Sequence, residues 1–242
     1  HSTPTVVSKP MDDYSLIYGD ESYEKLYQKY KNRDLMVYVG ANDGILHAFW
    51  GGRFHEGDDP RTPQTDHGWY DSDSRLGSTL GSEIWGYIPY NLLPHLKWLC
   101  NNNYTHVYYV DLKPRVADVR IFTRSDGTPI DADHPNGWGT ILIGGMRLGG
   151  GEITLSDDFG QGRRESRTFR SSYFALDITV PQRPRLLWEF TDPELGFTTS
   201  YPSIIKVKNK WFLVFGSGPS ATVPPDYGGD KFNKDGKIFI ID

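Results

Sequence analysis

Four short phrases recur in the same order along the chain, and this repeat limits the fold more tightly than any other feature. The first is a proline followed by a β-branched run: "TPTVV" (Thr3 to Val7), "KPRVADV" (Lys113 to Val119) and "YPSIIKV" (Tyr201 to Val207). The second is an apolar run closing on glycine: "MVYVG" at Gly40, "TILIGG" at Gly144 and "WFLVFG" at Gly216. The third is aromatic-rich: "ILHAFW" from Ile45, "SYFALDI" from Ser172 and "KIFIID" from Lys237. The fourth carries a tryptophan, Trp85 in "SEIWGYIP" and Trp188 in "PRLLWEF"; the sequence stops at Asp242 before a third copy.

Units of four strands with weak mutual identity point to the blades of a β-propeller. Aromatics at 14%, with 26 glycines and 16 prolines, suit many short strands joined by turns. Strands covered on both faces by neighbouring blades should be apolar throughout rather than alternating, as "ILIGG" and "FLVFG" are. Gly40, Gly144 and Gly216 are spaced by 104 and 72 residues, more than the roughly 40–50 of a compact blade. The excess is expected in polar inserts, "GGRFHEGDDPRTPQTDHGWYDSDSRLG" and "RLGGGEITLSDDFGQGRRESRTFR", read as loops. A helix is expected over "SYEKLYQKYKN", with Ser22 as its cap.

The expectation is therefore an all-β fold: residues 1–242 as a segment of one modified β-propeller domain with long loop inserts. Its blade units are 1–112, 113–199 and an incomplete 200–242. Three blades do not close a ring, since propellers take about four to eight, and about seven are expected when this one is complete. The opening "HSTPTVV", without an initiator Met, is read as the start of a segment of something longer. An open arc would expose apolar blade faces unless they are covered.

The Asn-Asp-Gly of "VYVGANDGILHAFW" (Val37 to Trp50) falls between the second and third phrases. It is read as a tight bend, with the side chains bonding their own turn and Gly44 supplying the left-handed backbone. His47 follows on a strand expected to be buried, in the position Phe174 occupies in the next unit, and is read as a satisfied core histidine rather than a general base.

Other chemical candidates are weaker. No nucleophile elbow, phosphate-cradling loop or His-Glu-x-x-His helix occurs, and the seven histidines have no metal-ligand spacing. Acidic loops begin at Asp71, Asp126 and Asp226; Asp230, Asn233 and Asp235, followed by Gly236, come nearest to a calcium loop, out of register by one position. Arg163, Arg164, Arg167 and Arg170 form a cationic run that suits a solvated hairpin or an acidic partner surface. Trp69 and Tyr70, with Tyr104, Tyr108 and Tyr109, are the aromatics available for sugar stacking or for packing under loops. A charge of −5 disfavours nucleic acid, no apolar run reaches membrane-spanning length, and Cys100 has no partner for an internal disulfide.

The phrases "HSTPTVV", "YVGANDGILHAF", "EIWGYIP", "THVYYVD", "TILIGGMRLGGG", "YFALDIT", "LLWEF", "ELGFTTSYPSI" and "WFLVFGSG" together resemble the C-terminal modified propeller of the PilY-type family of type IV pilus tip-associated adhesins, in order and along nearly the whole chain. The resemblance implies a non-catalytic protein, exported through the periplasm and displayed at the pilus tip. There it would bind minor pilins and other pilus components, prime assembly, counter retraction, and support twitching motility and attachment to host or abiotic surfaces. It also implies calcium as a cofactor of the full-length protein, in an aspartate-rich loop shortly after "KIFIID". That loop lies beyond Asp242, so no residue here is assigned to it. Two alternatives come from other classes. "DGILHAF" also looks like the strand phrase of pyrroloquinoline quinone dehydrogenases, although those often use vicinal cysteines and this chain has only Cys100. A glycan-binding adhesive module would use the exposed aromatics of the inserts.

Overall fold

The repeated phrases form three antiparallel sheets, stacked face to face, in a computed structural model that describes residues 2–65, 67–71, 79–220 and 235–242. The first sheet is built from β1 (Thr5–Val7), β2 (Met36–Gly40), β3 (Leu46–Trp50) and, past a separate hairpin of β4 (Arg53–Glu56) and β5 (Gly68–Asp71), β6 (Glu83–Tyr87). The second uses β7 (Arg115–Arg120) and β8 (Trp138–Gly145). After a hairpin of β9 (Ile153–Asp157) and β10 (Glu165–Phe169), it adds β11 (Tyr173–Asp177) and β12 (Arg185–Phe190). The third pairs β13 (Ser203–Val207), β14 (Lys210–Gly216) and β15 (Ile238–Ile241). Each phrase occupies one strand of its sheet, in chain order. The leading strands of the first two sheets converge: Ser2 Oγ donates to Leu112 O at 3.1 Å and Thr5 Oγ1 to Pro114 O at 2.9 Å.

Coverage differs between sheets, which corrects the expectation of uniformly apolar strands. Every residue of β8 and β11 is buried, because the second sheet has a neighbour on each face. Met36, Tyr38, Leu46, Ala48 and Trp50 of the first sheet meet Leu142, Phe174 and Leu176 on one side. On the other side Trp211, Leu213 and Phe215 of the third sheet meet Ile141, Ile143, Tyr173 and Ala175. The outer sheets have one covered face each, so β2, β3 and β14 alternate between buried and half-buried positions. The open face of the third sheet carries exposed Ile205, Val207, Ile238 and Ile240.

Register refines the repeat. Gly40, Gly145 and Gly216 pair with Leu46, Tyr173 and Ile238, and the faces these strands present align Gly40 with Gly145 rather than with Gly144. The alignment puts His47, Phe174 and Phe239 at one equivalent position. Gly40 is required for close approach: a Cβ there would lie 2.2 Å from Val110 O.

The inserts are more structured than loops. Each of the two contains a hairpin, β4–β5 or β9–β10, because alternation in "RFHE" and "SRTF" suffices for pairing even in polar sequence. Ahead of β2 lie a short helix, α1 (Tyr14–Tyr18), and α2 (Glu21–Tyr30). The cap of α2 is Asp20, not Ser22: its carboxylate accepts from Ser22 N at 3.1 Å and Ser22 Oγ at 2.5 Å. Ser22 Oγ instead accepts from Trp138 Nε1 at 2.8 Å. Tyr23, Leu26 and Tyr30 bury the apolar stripe of α2 against the second sheet. Tyr14 stacks on Trp138 at 5.2 Å and meets Trp211 edge-on at 5.5 Å, so the insert of the first unit plugs one end of the junction between the second and third sheets.

Candidate interaction surface

The Asn-Asp-Gly bend closes the β2–β3 hairpin. Asp43 Oδ1 accepts from Ile45 N at 3.0 Å, and Gly44 takes φ +94°. Asn42 does not bond its own turn: its Oδ1 accepts from Tyr109 N at 3.3 Å, and its Nδ2 lies 3.3 Å from His106 Nε2, which ties the bend to the segment before β7. His47 is satisfied but is not a core residue. It lies on the open face of the first sheet, with Nε2 2.9 Å from Asp43 Oδ2 and Nδ1 2.8 Å from Glu83 Oε1. Phe174 and Phe239, at the equivalent position, have a sheet to pack against; His47 has carboxylates. Partial burial disfavours its protonation, but the hydrogen bonds to Glu83 and Asp43 outweigh this and raise its pKa.

The cationic hairpin is mostly engaged. Arg167 donates to Glu165 and, through Nη1, to Tyr90 Oη at 2.6 Å, and its guanidinium covers the Phe159 ring at 4.3 Å. Arg170 pairs with Glu152 at 2.8 Å, and Arg164 reaches Ser156 O at 3.4 Å. Arg163 is exposed. Within the β4–β5 hairpin, the half-buried Trp69 ring is stacked by His55 at 4.2 Å and met by the Arg61 guanidinium at 4.4 Å. Tyr70 is half exposed and meets the equally exposed Phe54 edge-on at 5.4 Å. Tyr109 is buried, donating to His95 O at 3.2 Å, while Tyr104 stays exposed.

Of the acidic loops, Asp230 and Asn233 lie outside the described residues, as does most of the loop that begins at Asp71; Asp235 is described and exposed. In the loop that begins at Asp126, that carboxylate closes its own turn, accepting from Thr128 N at 2.9 Å and Thr128 Oγ1 at 2.6 Å. Among the described residues, no cluster of His, Cys, Asp and Glu is arranged to hold a metal ion. No helix among them is long and apolar enough to cross a membrane.

Two constellations were not singled out by sequence. His134, 1% exposed, is held between Asp131 Oδ1 at 2.6 Å and Asp177 Oδ2 at 3.1 Å, and stacks on Phe122 at 3.9 Å. Arg185 spans the same two carboxylates, reaching Asp177 at 2.8 Å and Asp131 at 3.1 Å. Burial opposes the charge on His134, but bonds to Asp177 and Asp131 prevail and raise its pKa. Burial would also raise Asp177; hydrogen bonds from His134, Thr179 and Arg185 overcome that and lower it to about 2. The second constellation is Glu189, which fastens the 3₁₀ segment Tyr90–Cys100 to the second sheet. Its carboxylate accepts from Tyr90 N (2.9 Å), Asn91 N (3.0 Å), Asn91 Nδ2 (3.1 Å) and Ser172 Oγ (2.8 Å). That segment presents Leu93 and Leu99 to solvent. The only sequence signals were the Asp-x-x-His spacing of Asp131 and His134 and the acid following Trp188.

No family model matches the chain. Two type IV pilus biogenesis factor PilY1 homologs of Xylella fastidiosa (strain Temecula1) are 30% identical to it over 208 and 193 residues, which is 84% and 77% of this chain. Type IV pilus biogenesis factor PilY1 of Pseudomonas aeruginosa (strain PAO1) is 30% identical over 207 residues, 83% of this chain. The chain spans only 9% to 13% of the length of these curated relatives. The crystal structure of the P. aeruginosa PilY1 C-terminal domain matches 98% of this chain and 35% of that one, with a TM-score of 0.55 and 26% identity.

Proposed function

Because the chain belongs to the PilY-type family, we propose that it is the propeller segment of a non-catalytic type IV pilus biogenesis factor. Its place is extracellular, at the pilus tip, and its units are 1–112, 113–199 and 200–242 of one propeller domain. It acts by binding minor pilins through the inserts its sheets carry, and so supports assembly, attachment and twitching motility. The observation that carries this reading is the match to the PilY1 C-terminal domain over 98% of the chain. Loops on a rigid scaffold are where binding surfaces are commonly built, and here a tether such as Glu189 holds its segment in a fixed pose. Among the described residues, Asn42, Asp43 and His47 of the bend are engaged in contacts within the chain. Asp43, part of the "DGILHAF" phrase that suggested a quinone enzyme, closes its own bend and holds His47. Affinity capture of the secreted full-length protein should recover minor pilins. Consistent absence of pilins from the captured material, against a positive control for pilus assembly, would remove the reading.

A further inference from the structure

The turn that follows α2 and strand β4 enclose a cleft of about 350 Å³ beside the first sheet. Lys9, Lys31, Arg33 and Arg53 line it against one carboxylate, Glu56, in a chain whose formal charge is −5. Arg33 is 8% exposed and serves as a strut between the first two sheets. Its Nε donates to Ser8 O at 2.6 Å, and its Nη1 to Thr140 Oγ1 at 3.0 Å and Thr179 O at 3.2 Å. Its Nη2 is buried and has no acceptor among the described residues. Arg53 Nε is in the same condition, while Arg53 Nη2 stands 3.5 Å from Asp34 Oδ1.

A buried donor without an acceptor is destabilising, and more so when it is charged. Such groups in natural proteins usually have a water or an ion that accounts for them. Here two guanidinium groups that line one cleft each have one. The positive region also continues past Arg33. A second cleft of about 240 Å³ shares Ser8, Lys9 and Arg33 with the first and adds Lys113 and Arg115. Its two carboxylates are taken internally. Asp118 accepts from Tyr23 Oη at 2.6 Å, Thr140 Oγ1 at 2.7 Å and Met11 N at 3.1 Å, and Asp12 accepts from Asp118 N at 2.6 Å.

We infer that the cleft between α2 and β4 binds an oxyanion, a carboxylate or a phosphate group, received by the guanidinium groups of Arg33 and Arg53 with Lys9 and Lys31 at the rim. Arg33 Nη2 and Arg53 Nε are the donors left without acceptors among the described residues, so the oxyanion would take one charge-assisted bond from each guanidinium rather than a fork from either. The volume exceeds one carboxylate or phosphate, so the group enters with part of the molecule that bears it. The inference is independent of the pilus reading, since it rests only on charge, burial and unpaired donors.

Calorimetric titration of the full chain at constant ionic strength tests it. The ligands are inorganic phosphate, a Gly-Glu-Gly peptide blocked at both ends, and the matching Gly-Gln-Gly peptide. Saturable one-to-one binding is expected for phosphate or for the Glu peptide, and none for the Gln peptide. Phosphate alone would assign a free anion; the Glu peptide would assign a carboxylate of a partner segment. Arg53→Met should weaken binding about tenfold or more. Lys9→Gln combined with Lys31→Gln, at exposed positions, should weaken it severalfold with an unchanged melting temperature, and this variant decides the matter if Arg53→Met does not fold. No saturable heat from phosphate or the Glu peptide overturns the inference. So does equal binding of the Gln peptide, or affinity unchanged in the lysine variant.

Discussion

Replacing Leu142 and, separately, its neighbour Ile143 with alanine examines how the sheets stack. The two residues are adjacent on β8 and point to opposite faces, Leu142 into the core shared with the first sheet and Ile143 into the core shared with the third. They are 0% and 1% exposed. Truncation removes about three methylene equivalents, worth about 2.4 kcal/mol of transfer at about 0.8 each. The cavity left behind brings the cost to about 3–4 kcal/mol, and the two losses should agree within about 1 kcal/mol. On β14 neighbours should instead differ. Leu213→Ala, in the core, should cost about 3 kcal/mol, while Val214→Ala, on the open face, should cost under about 1 kcal/mol. Urea unfolding of the 242-residue chain, compared at a common m-value, reads all four. A loss at Leu142 or Ile143 below about 1 kcal/mol, or a Val214 loss equal to that of Leu213, would refute stacking with the second sheet in the middle.

Three further outcomes follow from particular contacts. Glu189→Ala removes four accepted hydrogen bonds and should cost about 2 kcal/mol, with amides of residues 90–100 losing exchange protection; unchanged protection there would show that the carboxylate is no tether. Gly44→Ala forces a Cβ onto φ +94° and to 2.4 Å from Leu96 Cδ2, and should lower stability by about 2 kcal/mol in thermal unfolding. The pH dependence has two signs. The raised His134 contributes stability that is complete below its ordinary 6.5 and lost as pH climbs through the folded value, and the lowered Asp177 contributes above its ordinary 3.8 and is lost as pH falls through about 2. Urea midpoints should therefore decline on the alkaline side, and His134→Gln should reduce that decline; an identical slope in the variant would show that the raised histidine is not its source.

Strands were legible where apolar runs are long and punctuated, as in "TILIGG" and "WFLVFG", because both runs supply large apolar side chains to the cores between sheets. The hairpins β4–β5 and β9–β10 were not, since their stability comes from backbone pairing and local stacks such as Trp69 on His55, which leave little hydropathy pattern. Ser22 and Asp20 are both competent helix caps two residues apart, and Trp138, distant in sequence, claims the hydroxyl of Ser22. His134 was unreadable as a buried ion because Asp177 and Arg185 lie 43 and 51 residues away. Arg33, within the polar stretch "KNRDL", reads as solvated until the second sheet closes over it.

Surface piliation tests most directly the central claim, that the polar corner formed by Asp43 and His47 is structural. Piliation is measured in a deletion strain complemented with the full-length wild-type gene or with His47→Gln. The expected result is few surface pili in the deletion and equal restoration by both genes. Normal piliation in the deletion, or failure of His47→Gln to restore pili while it is secreted and melts like the wild type, would contradict the account.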